Sequence, residues 1–321
     1  MNRRLALAAA FAVLAIPLAQ AQAPAWPTKP VRLVVPFTPG GVSDNVARLI
    51  AKELQTALGQ PVLVDNKPGG GTNIATAEVG RAAPDGHTLL MSTNLVYSNT
   101  LLYKNVPYKV EQFTPVAMLF TVPLVLDATK DLPVKNVKEL VAYAKSRPGV
   151  LNYGTTGAGS TPHMFGEMFK KMSGTEITHV PFKGSVPLLQ EMIGGRVHIA
   201  FDGMPAALVQ HKAGTIRILA VASKERIPQL PDVPTLTEEG YPIVSSSWWG
   251  VYAPAGTPRD VVARLNATIR RIQASPEFKA QMASANASAP EDFTPEQYAA
   301  FLKRDYEFWR KLIEPMNLQL D

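Results

Sequence analysis

Two glycine-rich turns, each between an apolar run and a helical pattern, constrain this chain more than any other feature. The first reads Val31-Arg-Leu-Val-Val-Pro-Phe-Thr-Pro-Gly-Gly-Val-Ser-Asp44 and runs into Asn45-Val-Ala-Arg-Leu-Ile-Ala-Lys-Glu-Leu54. The second reads Leu151-Asn-Tyr-Gly-Thr-Thr-Gly-Ala-Gly-Ser-Thr-Pro-His163 and runs into Met164-Phe-Gly-Glu-Met-Phe169. A strand that ends in glycines and opens a helix leaves backbone N–H groups free at the positive end of a helix dipole, and such a place receives anions. Two of them in one chain predict two lobes that hold a negatively charged ligand between them.

The body of the chain alternates short β-rich runs with helical patterns, the signature of α/β sheets. Val31–Pro36 is unbroken apolar, as in a strand covered on both faces. The helix after it has Val46, Leu49, Ile50, Leu54 and Leu58 at helical spacing, with Ser43 or Asp44 as N-cap and Gly59 as its stop. Further strands are predicted at Pro61–Asp65, Thr88–Ser92, Leu151–Tyr153, Thr178–Phe182, Val197–Asp202 and Ile216–Ser223. Helices are predicted at Thr72–Ala82, Asn136–Lys145, Val186–Ile193 and Pro205–Lys212, and in the tail at Arg259–Ala274, Pro276–Ala285 and Thr294–Ile313. Pro115–Asp127 reads as a long strand interrupted by Pro123 and crossing between lobes, and Ser245–Ala253 crosses back. The lobes are therefore expected at 24–122 with 246–321 (lobe I) and at 123–245 (lobe II).

The N-terminus sets the compartment. Met1-Asn-Arg-Arg4 is basic, Leu5–Ala19 is apolar, and Ala19-Gln-Ala21 or Ala21-Gln-Ala23 offers a cleavage site. Residues 1–21 (cleavage after 23 being the alternative) read as a secretory signal peptide, too short to span a bilayer, which points to the periplasm. Loss of the leader lowers the net charge of +6 to about +4, too mild and too dispersed for nucleic acid. With no cysteine in the chain, disulfides, thiol nucleophiles and cysteine-held metals are excluded.

The motifs narrow the chemistry. Neither turn spells G-x-G-x-x-G and no G-x-x-x-x-G-K-[ST] occurs, so nucleotides are poorly supported and no cofactor is expected. The five histidines (His87, His163, His179, His198, His211) fall in no H-x-x-x-H or H-E-x-x-H pattern, so no metal is expected. Ser160, His163 and Asp202 could suggest a secreted hydrolase. However, there is no G-x-S-x-G elbow, and Ser160 and His163 sit too close on one helix, so a polar N-cap is the better reading and the chain is read as no enzyme. Asp44 and Asp202 could each receive a ligand ammonium or hydroxyl or simply cap a turn. Lys183 could pair with a carboxylate, and Phe37, Phe182, Trp248 and Trp249 could wall a cleft.

Several segments resemble the tripartite tricarboxylate transporter receptor family, also called the Bug family. They are Pro27 through Asp44, Leu58-Gly-Gln-Pro-Val62, Asp65-Asn-Lys-Pro-Gly69, Ala83-Pro-Asp-Gly86, Leu151-Asn-Tyr153 with Gly159-Ser160 and His163, His179-Val-Pro-Phe-Lys-Gly184, Leu230-Pro-Asp-Val-Pro-Thr235 and Trp248 through Pro258. They run in family order over nearly all the mature chain. The resemblance implies a type II periplasmic binding protein: an α/β fold of two lobes, each with a mixed sheet flanked by helices, and a cleft between them. It implies a receptor, expected to be a monomer, that captures a small carboxylate (a di- or tricarboxylate, an acidic amino acid or an aromatic acid). The ligand would pass to membrane permease subunits; a solute sensor signalling to a membrane partner is the alternative. The matching ligand positions are Phe37, Gly40, Gly41 and Asp44 in the first lobe and Thr155, Thr156, Gly157, Gly159, Ser160 and His163 in the second, with Lys183 and Asp202 nearby. Ser92, Thr93 and Asn94 at the third strand's end, and Trp248, complete the candidate set. Two departures, Ser98-Asn-Thr100 in place of an N-P pair and Asp202-Gly203 in place of an Asp-Asn pair, are expected near the ligand's distal end.

Overall fold

The computed structural model describes residues 26–320 apart from 245, 285, 291, 317 and 318, so the predicted leader lies outside the described residues. Lobe I opens with β1 (Val31–Val35), α1 (Val42–Leu58), β2 (Val62–Asn66), α2 (Asn73–Gly80), β3 (Thr88–Ser92) and α3 (Leu95–Leu102). The chain then enters the long strand β4 (Phe113–Thr129) and continues through α4 (Val137–Ser146), β5 (Asn152–Thr155), α5 (Thr161–Ser173), β6 (Thr178–Pro181), α6 (Ser185–Ile193), β7 (Ile199–Gly203), α7 (Met204–Lys212) and β8 (Ile216–Val221). It returns by β9 (Ser246–Pro254) and ends in α8 (Arg259–Ala274), α9 (Pro276–Ser284) and α10 (Pro295–Ile313).

Strand pairing divides this list in two. In one group β1 lies between β2 and β3, parallel to both, and β9 joins β3 antiparallel. In the other, β5 lies between β6 and β7, again parallel to both, with β4 and then β8 added antiparallel. β4 belongs to both: residues 113–123 pair with β9, and residues 124–129 pair with β7 and β8. Pro123 does not interrupt the strand. It forms the last pair of the β9 ladder, opposite Ser246, where its missing N–H costs no bond inside a continuing ladder.

Local rules account for most of these elements. β1 is buried on both faces, as a central parallel strand should be. α1 buries Val46, Ala47, Ile50, Ala51, Leu54 and Leu58, one apolar stripe, and stops at Gly59, whose φ of 72° lets its N–H reach the Gln55 carbonyl. The N-cap is Gly41, not Ser43 or Asp44, and no side chain caps the helix. α10 begins at a Thr294–Gln297 capping box. α3 was not expected from the pattern, because Leu95, Val96, Tyr97, Ser98, Asn99 and Leu102 are all buried and a helix covered nearly all round loses its amphipathic period.

The apolar core is continuous between the lobes. Trp309 of α10 packs on Phe165 of α5, their ring centroids 6.2 Å apart, while Tyr298 of the same helix sits against Trp248 and Tyr252 of β9. Trp248, Trp309 and Tyr97 all donate to one carboxyl oxygen, Oδ2 of Asp305, which fastens α10 to β9 and α3. Among the described residues no helix is long and apolar enough to cross a membrane.

Gly250 offers a test of this packing. A Cβ there would overlap the Tyr298 phenol and come 3.1 Å from the Ala117 carbonyl oxygen. Gly250→Ala is therefore expected to destabilise the protein by about 1–3 kcal/mol, read as a lower unfolding temperature in calorimetry. A loss below about 0.5 kcal/mol would mean that the tyrosine moves aside without strain.

Candidate functional site

Each lobe places its first strand between its second and third, so the chain turns to opposite sides after β1 and after β5. Open α/β sheets bind ligands at such switch points, beyond the carboxyl ends of the strands. Here the two points face each other. The turns after β1, β3, β5, β6 and β7 enclose one cavity of about 50 Å³, and Val122, Ser247 and Trp249 of the crossing strands complete its wall.

From the first turn, Phe37 and Gly41 line the cavity, joined by Thr38, Val42 and Ser43. Gly40 needs its glycine for a φ of +86°. Gly41 has an ordinary φ of −80°, and a Cβ on it would come no nearer than 4.0 Å to the Thr38 carbonyl oxygen. Asp44 is buried behind the turn, where its Oδ2 accepts from the Gly40 N–H and from Arg48 Nε, both at 3.0 Å. Burial pushes the Asp44 carboxyl up, but the hydrogen bonds from Arg48 and Gly40 outweigh it and hold the carboxyl below the usual carboxylate range. Asp44 ties the turn together and does not line the cavity.

Thr93 and Asn94 line the cavity after β3, and Ser92 is fully buried behind them. Asn94 also links the lobes, its Oδ1 accepting from the Thr161 hydroxyl at 3.0 Å. The Ser98-Asn-Thr100 segment, expected near the ligand's distal end, does not line this cavity. Asn99 is fully buried and donates to the Gly71 carbonyl and to Asn73 Oδ1, each at 2.7 Å.

The turn after β5 spends most of its polar groups on itself. Ser160 caps α5 by accepting from the His163 N–H at 3.3 Å and donates to the Gly157 carbonyl at 2.6 Å. The Gly159 N–H donates to His163 Nδ1 at 3.0 Å. Thr155 donates to the Gly157 carbonyl and meets His179 Nε2 at 2.7 Å. Thr156 and Ser160 reach the cavity; Thr155, Gly157, Gly159 and His163 stand behind it. The Ser160 hydroxyl and the His163 ring are each engaged with backbone rather than with each other, so the proton relay of a hydrolase is absent.

The turn after β6 carries what sequence reasoning missed. Gly184 and Ser185 line the cavity at the N-terminus of α6, which like α1 has no side-chain cap. These two helix ends come from opposite lobes and meet: the Thr38 hydroxyl donates to the Lys183 carbonyl at 3.2 Å, and a Cβ on Gly184 would lie 3.2 Å from Thr38 Oγ1. The Lys183 side chain is exposed, and its residue lines an adjoining cavity with Gly157. A glycine at the N-cap position, with no side chain to occupy the first amides, was the available signal, in Lys183-Gly-Ser-Val186.

After β7, Asp202 and Gly203 line the cavity. Asp202 Oδ1 accepts from the Ser185 hydroxyl and the Gly203 N–H, both at 2.7 Å. Burial raises its carboxyl to about 6 in spite of these bonds. The neighbouring tryptophans divide by strand parity. Trp248 faces the core and donates to Asp305, while Trp249 lines the cavity and stacks on Phe120 at 4.6 Å. Among the described residues that line the cavity, Asp202 alone has an ionisable side chain.

Behind the second turn His163 stacks on His179, their centroids 3.8 Å apart. Burial and the Lys170 charge push His163 down to about 4; burial and His163 itself push His179 down to about 3. Both rings stay neutral in the fold while the unfolded chain protonates them near pH 6.5. Stability is thus fully present above pH 6.5 and is lost as pH falls towards 4, by on the order of 2 kcal/mol per histidine at pH 5. His179→Gln should flatten this slope in urea titrations run between pH 7 and 4.5. An unchanged slope would show that the ring is not held neutral.

Comparison with known proteins gives one consistent result. Residues 46–318 match the model of the tripartite tricarboxylate transporter family receptor. The protein BugT of Bordetella pertussis is 36% identical, with the alignment covering 100% of this chain and 99% of BugT. Among solved structures, Rhodopseudomonas palustris Rpa4515, determined with adipate, is 40% identical with a TM-score of 0.85, over 89% of this chain and 97% of that one. MatC from Rhodopseudomonas palustris, determined with bound malate, is 34% identical with a TM-score of 0.85, over 90% and 100%. The periplasmic binding protein BugD is 33% identical with a TM-score of 0.86, over 92% and 99%. The two facing switch points and these full-length similarities have one meaning: the chain belongs to the tripartite tricarboxylate transporter receptor family, whose members are solute-binding proteins and not enzymes.

Proposed function

We propose that this protein captures a small organic carboxylate between its lobes and delivers it to the membrane permease of a tripartite tricarboxylate-type transporter. It would do so in the periplasm, after removal of the leader at 1–21. The observation that carries this reading is the meeting of two uncapped helix N-termini, α1 from lobe I and α6 from lobe II, on a cavity lined by no cationic side chain among the described residues. An anion there is held by unpaired backbone N–H groups and by the positive ends of two helix dipoles. The hydroxyls of Ser43, Thr93 and Thr156 add donors along the wall, and Phe37 and Trp249 supply apolar surface. The adipate and malate found with relatives of 40% and 34% identity fit this class. The same reading assigns residues 24–122 and 246–321 to lobe I and 123–245 to lobe II.

The test is a thermal-shift screen of about a hundred organic acids on protein freed of co-purified ligand, since a ligand at 100 times its Kd raises stability by about 2.7 kcal/mol. At least one carboxylate should raise the unfolding temperature, and silence from all of them would overturn the reading. Gly41→Val places a branched side chain in the cavity without backbone strain, because Gly41 is extended with open space at its Cβ position. This variant should unfold within about 2 °C of the parent and lose the ligand-induced shift. If the shift survives, the anion does not lie at the α1 terminus.

A further inference from the structure

The cavity at the two helix ends is small for the ligand it would serve. About 50 Å³ is room for a few waters, or for a carboxylate and the carbon or two beside it. Pockets that enclose small molecules usually run to about 300–1,000 Å³. The rest of the ligand therefore lies elsewhere, and the structure has a place for it. A second cavity, of about 290 Å³, opens between the same two lobes. Phe37, Leu95 and Thr156 line both cavities. They come from the turns after β1, β3 and β5, so three separate turns ring the boundary and leave a window between them. The bond from the Thr38 hydroxyl to the Lys183 carbonyl joins a wall of the first cavity to a wall of the second. The two differ in charge. Among the described residues the first is lined by one ionisable side chain, Asp202, an acid. The second is lined by no aspartate or glutamate, and Lys183 is its one cation. The Lys183 side chain is exposed, and no carboxylate among the described residues pairs with it.

We propose that the second cavity receives the ligand's far end and that Lys183 is its anion-binding residue. The fitting ligand is then a long dianion. One carboxylate lies at the α1 and α6 termini, an unsubstituted chain or ring passes the window, and the second anionic group meets the Lys183 ammonium. The inference rests on the carboxylate reading and adds to it a length and a second charge. Phe37 and Leu95 give the window an apolar rim that cannot pair with a hydroxyl carried mid-chain, which would lose its water on entry. A short diacid gains nothing from Lys183, because its second carboxylate stays in the first cavity with Asp202. Burial has raised the Asp202 carboxyl to about 6, so above that pH it is ionised and repels a second carboxylate. Because the Lys183 side chain is exposed, water and salt screen its charge. It selects among ligands without keeping one on lobe II when the cleft opens.

Isothermal titration calorimetry at pH 7.5 and low salt, on protein freed of co-purified ligand, tests this with acids that differ in length and at the far end. The probes are the unbranched diacids of three to nine carbons and the methyl- and amino-ended monoacids of the same lengths. Affinity should rise by at least about tenfold from the four-carbon diacid to the best of the longer ones, as methylenes enter the window. At that best length the diacid should bind at least about threefold tighter than the methyl-ended acid, and the amino-ended acid weakest. The diacid's advantage should shrink in about 0.5 M salt. Lys183→Met should abolish that advantage, and Lys183→Glu should reverse the order, placing the amino-ended acid above the diacid. Both variants change an exposed side chain and keep the carbonyl that Thr38 uses. A four-carbon diacid that binds as tightly as any longer one overturns the inference. So does a preference for the diacid that survives Lys183→Glu. If a variant does not fold, the parent's ranking by length and end group decides alone. Binding by no acid of any kind overturns the carboxylate reading and this one with it, whereas binding confined to acids of four carbons or fewer overturns this one only.

Discussion

Both lobes hang on one strand. β4 gives residues 113–123 to the sheet of lobe I and residues 124–129 to that of lobe II, with no break at Pro123. A continuous strand fixes the direction in which each sheet runs, so the carboxyl ends of β1 and β3 in one lobe are set to face those of β5, β6 and β7 in the other. The repeated strand orders, β2-β1-β3 and β6-β5-β7, then bring two switch points together, and the cavity follows. α10 closes the arrangement from behind through Trp309 on Phe165 and the Asp305 carboxyl on Trp248.

The cavity's electrostatics come from the backbone. Where a guanidinium would hold an anion by a full charge, this site offers two partial charges of roughly half a unit each at helix ends. The self-capping of α5 by Ser160 explains why the second glycine turn is less of an anion site than its glycines suggest. Its polar groups are spent on Gly157, His163 and His179, and its work is to keep the turn rigid behind Thr156 and Ser160. In the proposed reading the charge-binding end in lobe II falls instead to α6, where glycine occupies the N-cap position and no side chain caps the first amides.

Much of this was legible in the sequence. Element types along the chain and the long strand shared by both sheets at β4 follow from period and glycine placement. α8 even matches its predicted bounds, Arg259–Ala274. The misses have physical causes. α3 is covered nearly all round, its Ser98 and Asn99 included, so periodicity did not mark it. Trp248 and Trp249 are interchangeable in sequence, and strand parity, set only by the register of β9 on β4, decides which one meets the cavity. Asp44, Thr155 and His163 carry the residue types of ligand contacts but are consumed by bonds within their own turns. A one-dimensional reading sees the polar group and not the partner that has already taken it.

If the anion site is divided between α1 and α6 as proposed, one cavity can both hold and release. Each lobe supplies one helix end, and among the described residues the direct bonds between the lobes near the site are few and neutral: Thr38 to the Lys183 carbonyl, Thr161 to Asn94 and Ser98 to the Gly159 carbonyl. Neutral hydrogen bonds between exposed or cleft groups contribute about 0.5–1.5 kcal/mol each, too little to hold the lobes shut against a ligand's absence for long. An anion spanning the two helix ends adds attraction to both at once, so it favours the closed arrangement by its differential affinity for that state. Separating the lobes takes away half of its donors in one step. A full charge on either lobe would keep the anion on that lobe as the cleft opened. Partial charges on both let opening and release be the same event.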